Sequence, residues 1–88
     1  MNETEAIQNQ LLAFLRGGIF SPATTLTADT DLVAHGFDSL SLMSLLLFVE
    51  KTYALWIPEH ELTETTLKNV RTLTDLIVRL RHEAQPLP

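Results

Sequence analysis

The chain has 88 residues, no cysteine, and a formal net charge of −5 from 11 acidic and 6 basic side chains. This length allows one small domain without a deep, water-shielded pocket, and the lack of cysteine excludes disulfides, thiolate metal sites and thiol nucleophiles. A nucleic-acid binder would need a clustered basic face, which argues against that class. With no basic-then-apolar leader, we expect a single cytoplasmic domain over residues 1–84 and a loose tail over 85–88.

The negative charge is concentrated in the first half of the chain. Residues 1–50 contain six acidic side chains and one basic side chain, whereas residues 51–88 contain five of each. This distribution favours a partner with a basic docking patch, through electrostatic steering and complementarity. Solubility alone would explain it equally well.

The first predicted helix, residues 3–16, is followed by a long loop. Apolar side chains recur on one helix face at i, i+4, i+7 and i+8, namely Ile7, Leu11, Phe14 and Leu15. Gly17-Gly18 is expected to end the helix. The segment 19–35 has no sustained period and contains Ser21-Pro22, which is typical of a long connection. We expect five apolar side chains to hold it to the core: Ile19, Phe20, Leu26, Leu32 and Val33.

The second predicted helix, from Ser39 to about Tyr53, has more apolar surface than one buried face requires. Asp38 is a good N-cap, because its carboxylate can accept hydrogen bonds from the free amides of the first turn. The predicted core face is Leu42, Leu45, Leu46, Val49 and Tyr53. A second apolar row lies beside it on the flank of Glu50: Leu40, Met43 and Leu47. The apolar run is far shorter than the roughly 20 residues of a membrane span, so we expect none.

The last third of the chain predicts one short helix and one long helix. Pro58 closes the segment after the second helix, and the polar stretch 59–69 is expected to hold the short helix, anchored by Leu62 and Leu67. The last helix is expected to begin at Thr72, where Thr72-Leu73-Thr74-Asp75 fits a capping box. The predicted fold class is therefore all-α: a small four-helix bundle of three main helices and one short helix, with a long first loop.

Ser39, at the junction of the long loop and the second helix, has three possible roles. A nucleophile needs a base within hydrogen-bond reach and a group that orients the base, together with an oxyanion site. The sequence offers three histidines in poorly suited positions and no G-x-S-x-G elbow, which makes a hydrolase the least favoured class: His35, His60 and His82. An N-terminal cap is the ordinary role of Asp-Ser at a helix start. A modification point is the third role, because a phosphoryl group there would face the positive end of the helix.

The chain resembles the acyl and peptidyl carrier proteins. The likeness rests on Asp31-x-x-x-x-Gly36-Phe37-Asp38-Ser39-Leu40, an apolar helix, Trp56-Ile57-Pro58 and a terminal helix, and it extends from the first helix to Arg81. It implies a carrier-protein-like bundle in which Ser39 bears 4′-phosphopantetheine, transferred from coenzyme A by a phosphopantetheinyl transferase. The arm would supply the thiol that the chain lacks and would hold the cargo as a thioester. The carrier itself would be non-catalytic and would bind no metal.

The same resemblance implies the partners and the surface that they contact. Partners would be an acyl- or aminoacyl-loading enzyme and downstream synthases, transferases or tailoring enzymes. In carriers the helix after the serine is the main docking surface, which assigns docking to Asp38, Leu40, Met43, Leu47 and Glu50. The alternative is that the apolar row packs beneath the long loop.

Several departures from fatty-acid carriers indicate a specialised pathway. Their second helix is rich in acids at solvent-side positions where this chain has Ser41, Ser44 and Lys51, and Phe48 and Trp56 are bulkier than expected. The segment 47–53 is more similar to discrete carriers of polyketide or nonribosomal peptide biosynthesis. We therefore expect a monomeric carrier of acyl or aminoacyl thioesters in such a pathway. A fatty-acid-type carrier and an unmodified helical adaptor are the alternatives.

Overall fold

A computed structural model describes residues 2–21 and 23–83 of the chain. It contains three α-helices: α1 (Glu3–Phe14), α2 (Ser39–Tyr53) and α3 (Val70–Glu83). No strand occurs within residues 2–21 and 23–83. The all-α prediction is thereby confirmed. The predicted tail, residues 85–88, lies outside the described residues.

The short helix predicted within residues 59–69 is confined to a 3₁₀ turn at Glu59–Glu61. Threonine side chains explain why the helix does not continue. The Thr63 amide donates to the Thr66 hydroxyl (2.9 Å) and the Thr66 amide donates to the Thr63 hydroxyl (3.2 Å). Such local side-chain bonds compete with helical hydrogen bonds, so they favour turns.

The prediction that Gly17-Gly18 ends the first helix is wrong. The α-helix ends at Phe14, and the chain continues as a π-helical turn, Leu15–Ile19, that contains both glycines. Leu15 is fully buried, and the Phe20 amide donates to its carbonyl (2.8 Å). Leu15 and Phe20, which are both buried and are joined by this hydrogen bond, therefore hold the wider helical path through the glycines.

The long loop is bound along the start of α3. Leu32 donates its amide to the Lys68 carbonyl (2.9 Å), and the Arg71 amide donates to the Ala28 carbonyl (2.9 Å). The Arg71 guanidinium forms two hydrogen bonds to Asp29, at 2.7 and 3.0 Å. These contacts place the loop beside α3 and leave one flank of α2 uncovered.

Four of the five predicted loop anchors contribute to the core, and Val33 does not. Phe20, Leu26 and Leu32 are buried, and Ile19 packs against them while partly exposed. Val33 is 64% exposed, because it begins a 3₁₀ turn, Val33–His35, directly after the buried Leu32. Neighbouring residues of a tight turn point in different directions, so only one of this pair reaches the interior.

The start of α3 also differs from the prediction. The helix begins at Val70, and Asn69 caps it by accepting a hydrogen bond from the Thr72 amide (2.8 Å). The Thr72 hydroxyl accepts in return from the Asn69 amide (3.2 Å). Asn69, not Thr72, is thus the N-cap, because its side chain satisfies the free Thr72 amide. Thr72 lies in the first turn and completes the capping box by bonding back to the Asn69 amide.

Aromatic side chains join α1 to α2. Phe48 stacks on Phe14 with ring centroids 4.4 Å apart, and it meets the edge of Tyr53 at 6.1 Å. The Tyr53 hydroxyl donates to Gln10 (2.6 Å), and the Arg81 guanidinium of α3 lies 5.6 Å from the Tyr53 ring centroid. The size of Phe48 is therefore explained by packing between helices.

Thr74 is expected to be a position where the protein can be stabilised. Its side chain is 1% exposed, and Oγ1 has no hydrogen-bond partner among the described residues. A buried, unsatisfied hydroxyl destabilises the folded state, so Thr74→Val should raise the free energy of unfolding by about 1 kcal/mol. Thermal denaturation should show a rise in Tm of about 4–8 °C for a domain of this size.

Thr72→Val is the matched control, because it makes the same change on the same helix. The Thr72 hydroxyl lies 2.9 Å from both the Thr66 carbonyl and the Asn69 carbonyl, and its single hydrogen can be donated to either. Loss of this hydroxyl in Thr72→Val should lower Tm. A fall in Tm for Thr74→Val would show that the buried hydroxyl is satisfied.

Candidate functional site

The turn before α2 brings Ser39 to the surface. The chain leaves the 3₁₀ turn Val33–His35 through Gly36, whose φ of +99° lies in the left-handed region. A side chain at that position would be strained, so glycine is required there. Phe37 then returns to the core, 7% exposed, with its amide donating to the Leu32 carbonyl (3.0 Å). With Phe37 held in the interior, the following two residues project outward.

Ser39 is the first residue of α2, and it is exposed. Within the described ranges, no residue forms a hydrogen bond with its hydroxyl. The side chain is therefore accessible to a modifying enzyme.

Asp38, and not Ser39, caps α2. Its backbone is extended, and its Oδ1 accepts hydrogen bonds from both the amide and the hydroxyl of Ser41, each at 2.9 Å. These bonds hold the pKa of the Asp38 carboxyl below its ordinary value of 3.8, because they stabilise the charged form. The cap role open to Ser39 is thus taken by its neighbour, which leaves the serine hydroxyl free.

The Asp38 cap is expected to make stability depend on pH. A carboxyl whose pKa is depressed in the folded state contributes stability that is present above the unfolded value of 3.8 and is lost as pH falls through the lower folded value. Asp38→Asn keeps a side-chain oxygen for the Ser41 amide but removes the titration. The Tm difference between wild type and this variant should therefore shrink as pH falls from 5 to about 2.5. A difference that stays constant with pH would contradict this origin.

The histidines are engaged elsewhere in the described structure. His82 Nε2 lies 2.7 Å from Glu3, His60 Nε2 lies 3.8 Å from Glu61, and His35 Nδ1 lies 2.9 Å from the Asp31 carbonyl. None of these contacts involves Ser39, so no histidine in the described part of the chain is hydrogen-bonded to its hydroxyl. The described residues also contain no group of three or more His, Asp or Glu side chains arranged to hold a metal ion.

The apolar row on α2 is exposed to solvent. Leu40 is 73% exposed, Met43 62% and Leu47 64%. The core face of the same helix contains Leu45 and Val49, which are fully buried, with Leu42, Leu46 and Tyr53 partly buried around them. The alternative that the row packs beneath the long loop is therefore excluded. Asp38 and Glu50, predicted to lie at the charged edges of this surface, are also exposed.

A further large apolar side chain, Trp56, is exposed shortly after the end of α2. Its exposure was not predicted from the sequence. Trp56 is 66% exposed, whereas its neighbours Leu55 and Ile57 are 8% and 2% exposed. Burial thus alternates from residue to residue over 55–57, as it does along a strand with one face toward the interior. This alternation is the sequence signal that could have placed Trp56 outside.

None of the helices in the described part of the chain is both long enough and apolar enough to cross a membrane.

Two solved structures have the same fold. Both are complexes of the Bradyrhizobium japonicum glycine:[carrier protein] ligase. The chain is similar to the carrier of the complex with glycylated carrier protein, at 25% identity over 85% of this chain and 99% of that one, with a TM-score of 0.65. The chain is also similar to the carrier in the complex with cognate carrier protein and an analogue of glycyl adenylate. The identity there is 23%, over 89% of this chain and 99% of that one, and the TM-score is 0.68. The carrier-protein-like fold is thereby confirmed.

A comparison with curated protein sequences gave no match. The model of the family described as "Phosphopantetheine attachment site" matches residues 18–77, which is more than half of the chain. Domains of this family carry 4′-phosphopantetheine covalently. The matched range contains the Gly36 turn, the exposed serine and the whole of α2. The chain therefore belongs to the family of phosphopantetheine-binding carrier proteins.

Proposed function

We propose that this protein is a non-catalytic, monomeric, cytoplasmic carrier that holds an acyl or aminoacyl group as a thioester on 4′-phosphopantetheine at Ser39. The observation that carries the proposal is the Ser39 hydroxyl itself. It is exposed, it has no partner among the described residues, and it lies at the start of α2 inside the matched family segment. It meets the requirements of an acceptor that depends on another enzyme for chemistry.

The chemistry of the site fits a phosphodiester at Ser39. The first turn of α2 presents backbone amides and the positive end of the helix to this position, which favours a negatively charged group. The Asp38 carboxylate is held by Ser41, so it does not compete for the serine hydroxyl. The serine oxygen would form the new bond to phosphorus while the nucleotide part of coenzyme A leaves, and the hydroxyl proton would pass to a base of the transferase.

Of the two possible cargoes, an acyl group and an aminoacyl group, we infer that the carrier holds an aminoacyl group. Support comes from the similarity to the glycylated carrier protein, at 25% identity over nearly the full length of that chain. The serine-containing solvent side of α2 supports a specialised pathway of the polyketide or nonribosomal peptide type over fatty-acid synthesis. The partners would be a phosphopantetheinyl transferase, a loading ligase, and downstream synthases, transferases or tailoring enzymes.

The docking surface in this proposal is the exposed row Leu40, Met43 and Leu47, bordered by Asp38 and Glu50. Exposed large apolar side chains in a row are costly unless a partner covers them, and this row begins next to Ser39. The acidic edges add electrostatic complementarity to a basic partner surface, which raises the rate of association.

The attachment is tested by incubating the unmodified protein with coenzyme A, Mg²⁺ and a broad-specificity phosphopantetheinyl transferase. Intact-mass spectrometry should show the gain of one phosphopantetheine on the wild type and none on Ser39→Ala. Ser21→Ala, which changes another exposed serine, should be modified at the wild-type rate. A wild-type protein that gains no mass would rule out the carrier proposal in favour of an unmodified adaptor.

The cargo is tested by the intact mass of the protein isolated from its native host, before and after neutral hydroxylamine. A thioester is cleaved by hydroxylamine, so the mass lost identifies the group. An amino acid residue is the expected loss. A long saturated acyl group would instead support the fatty-acid-type alternative.

A further inference from the structure

The docking row, Leu40, Met43 and Leu47, has a thioether at its centre. Leu40 precedes Met43 by three residues and Leu47 follows it by four, so the three side chains share one stripe of α2. Met43 is 62% exposed, although methionine is among the residue types that are most often buried. Its flexible, polarisable side chain suits a surface that packs against several different partners.

The sulfur of Met43 is also the group in the row that is open to oxidation. The chain has no cysteine and only two methionines, Met1 and Met43, and Met1 lies outside the described residues. Methionine is oxidised to the sulfoxide, whereas leucine, the other residue type in the row, has no sulfur for an oxidant to attack. Oxidation therefore acts on this surface at one position.

Oxidation of Met43 changes the row and leaves the core untouched. A sulfoxide is polar and carries a hydrogen-bond acceptor, so an apolar partner surface that covers it leaves that oxygen unsatisfied. The interior face of the same helix holds Leu45 and Val49, which are fully buried, and Met43 lies outside that face. The folded state therefore tolerates a change that the interface does not.

We propose that Met43 is a reversible oxidation site, at which a peroxide converts the thioether to a sulfoxide and so weakens docking of partner enzymes to the carrier. This inference rests on the proposed function, because it needs the docking row. A sulfur lone pair forms the new S–O bond while the O–O bond of hydrogen peroxide breaks. Sulfur is oxidised by two electrons, and the peroxide is reduced to one water molecule. A dithiol reverses the step, since the sulfoxide oxygen leaves as water and the dithiol becomes a disulfide.

The test uses unmodified protein treated with hydrogen peroxide, because that form has no arm thiol to compete for the oxidant. Peptide mass mapping of the purified product should find one added oxygen atom on Met43. Its kcat/KM for phosphopantetheinyl transfer from coenzyme A should be roughly 5- to 50-fold below that of untreated protein, and circular dichroism should show an unchanged fold. Methionine sulfoxide reductases for both sulfoxide epimers, supplied with a dithiol, should restore the untreated rate.

Two variants give a matched comparison. Met43→Leu removes the thioether from the row and retains Met1, so its kcat/KM should be the same before and after peroxide treatment. Val33→Met in the Met43→Leu background moves the thioether to a position that is 64% exposed but lies on the 3₁₀ turn, outside the row. This second protein should gain the oxygen at position 33 and keep its rate. A rate lost on treatment of either variant would overturn the proposal.

The oxidation site and the docking row can fail separately. Wild-type protein that carries the sulfoxide at Met43 and reacts at the untreated rate would overturn the oxidation site, as would a Met43 that takes up no oxygen. If Met43→Asp is slowed in the same assay, the docking row stands and only the oxidation site is contradicted. Untreated rates for both the sulfoxide and Met43→Asp would contradict the row itself.

Discussion

Replacing Leu45 by alanine is expected to lower the free energy of unfolding by about 2–5 kcal/mol, whereas the same change at Leu47 should alter it by less than about 0.5 kcal/mol. The two leucines are two residues apart on α2. Leu45 is fully buried and Leu47 is 64% exposed. Truncation of Leu45 removes apolar contacts and leaves a cavity, while truncation of Leu47 leaves neither.

The size of the Leu45 effect matters in a domain of 88 residues. Stabilities of about 0.05–0.15 kcal/mol per residue are usual, so the expected loss is a large share of the total. Urea unfolding followed by circular dichroism measures both variants. Equal losses at Leu45 and Leu47 would show that the row is packed against the protein in solution, and would remove the docking surface from the proposal.

Variants in the docking row are expected to slow partner enzymes without unfolding the carrier. Burial of one Met or Leu side chain at an interface stabilises it by about 1.5–3 kcal/mol, so Met43→Asp and Leu47→Asp should each lower kcat/KM for the phosphopantetheinyl transferase by roughly 10- to 100-fold. Met43→Ala should lower it less. Charge reversal by Glu50→Lys should slow association, most strongly at low salt.

The control for these variants is Val33→Asp. Val33 is 64% exposed, as Leu47 is, but lies on the 3₁₀ turn and not in the row. The Val33→Asp variant should leave kcat/KM for the phosphopantetheinyl transferase unchanged. Circular dichroism should show that all variants remain folded. Wild-type rates for every row variant, or an equal loss for Val33→Asp, would contradict docking through this surface.

Much of α2 was predictable because its determinants are local. Asp38 is a good cap by residue type, and the apolar period of 3.6 separates Leu45 and Val49 from the row that begins at Leu40. Both features lie within a few residues of Ser39, so the helix start and its two apolar faces follow from the sequence. The same reasoning failed at Gly17-Gly18, where a buried neighbour decides the path of the chain.

The sequence by itself therefore determined the second helix, its cap and the serine at its first turn. The tertiary structure decided that the row is uncovered, because Asp29 and Arg71, 42 residues apart, bind the long loop to α3. It also decided that the turn containing Gly18 lies beside the start of α2, next to Ser39. Contacts between segments that are distant in the chain are absent from any local period, so only the folded chain shows which surfaces they cover.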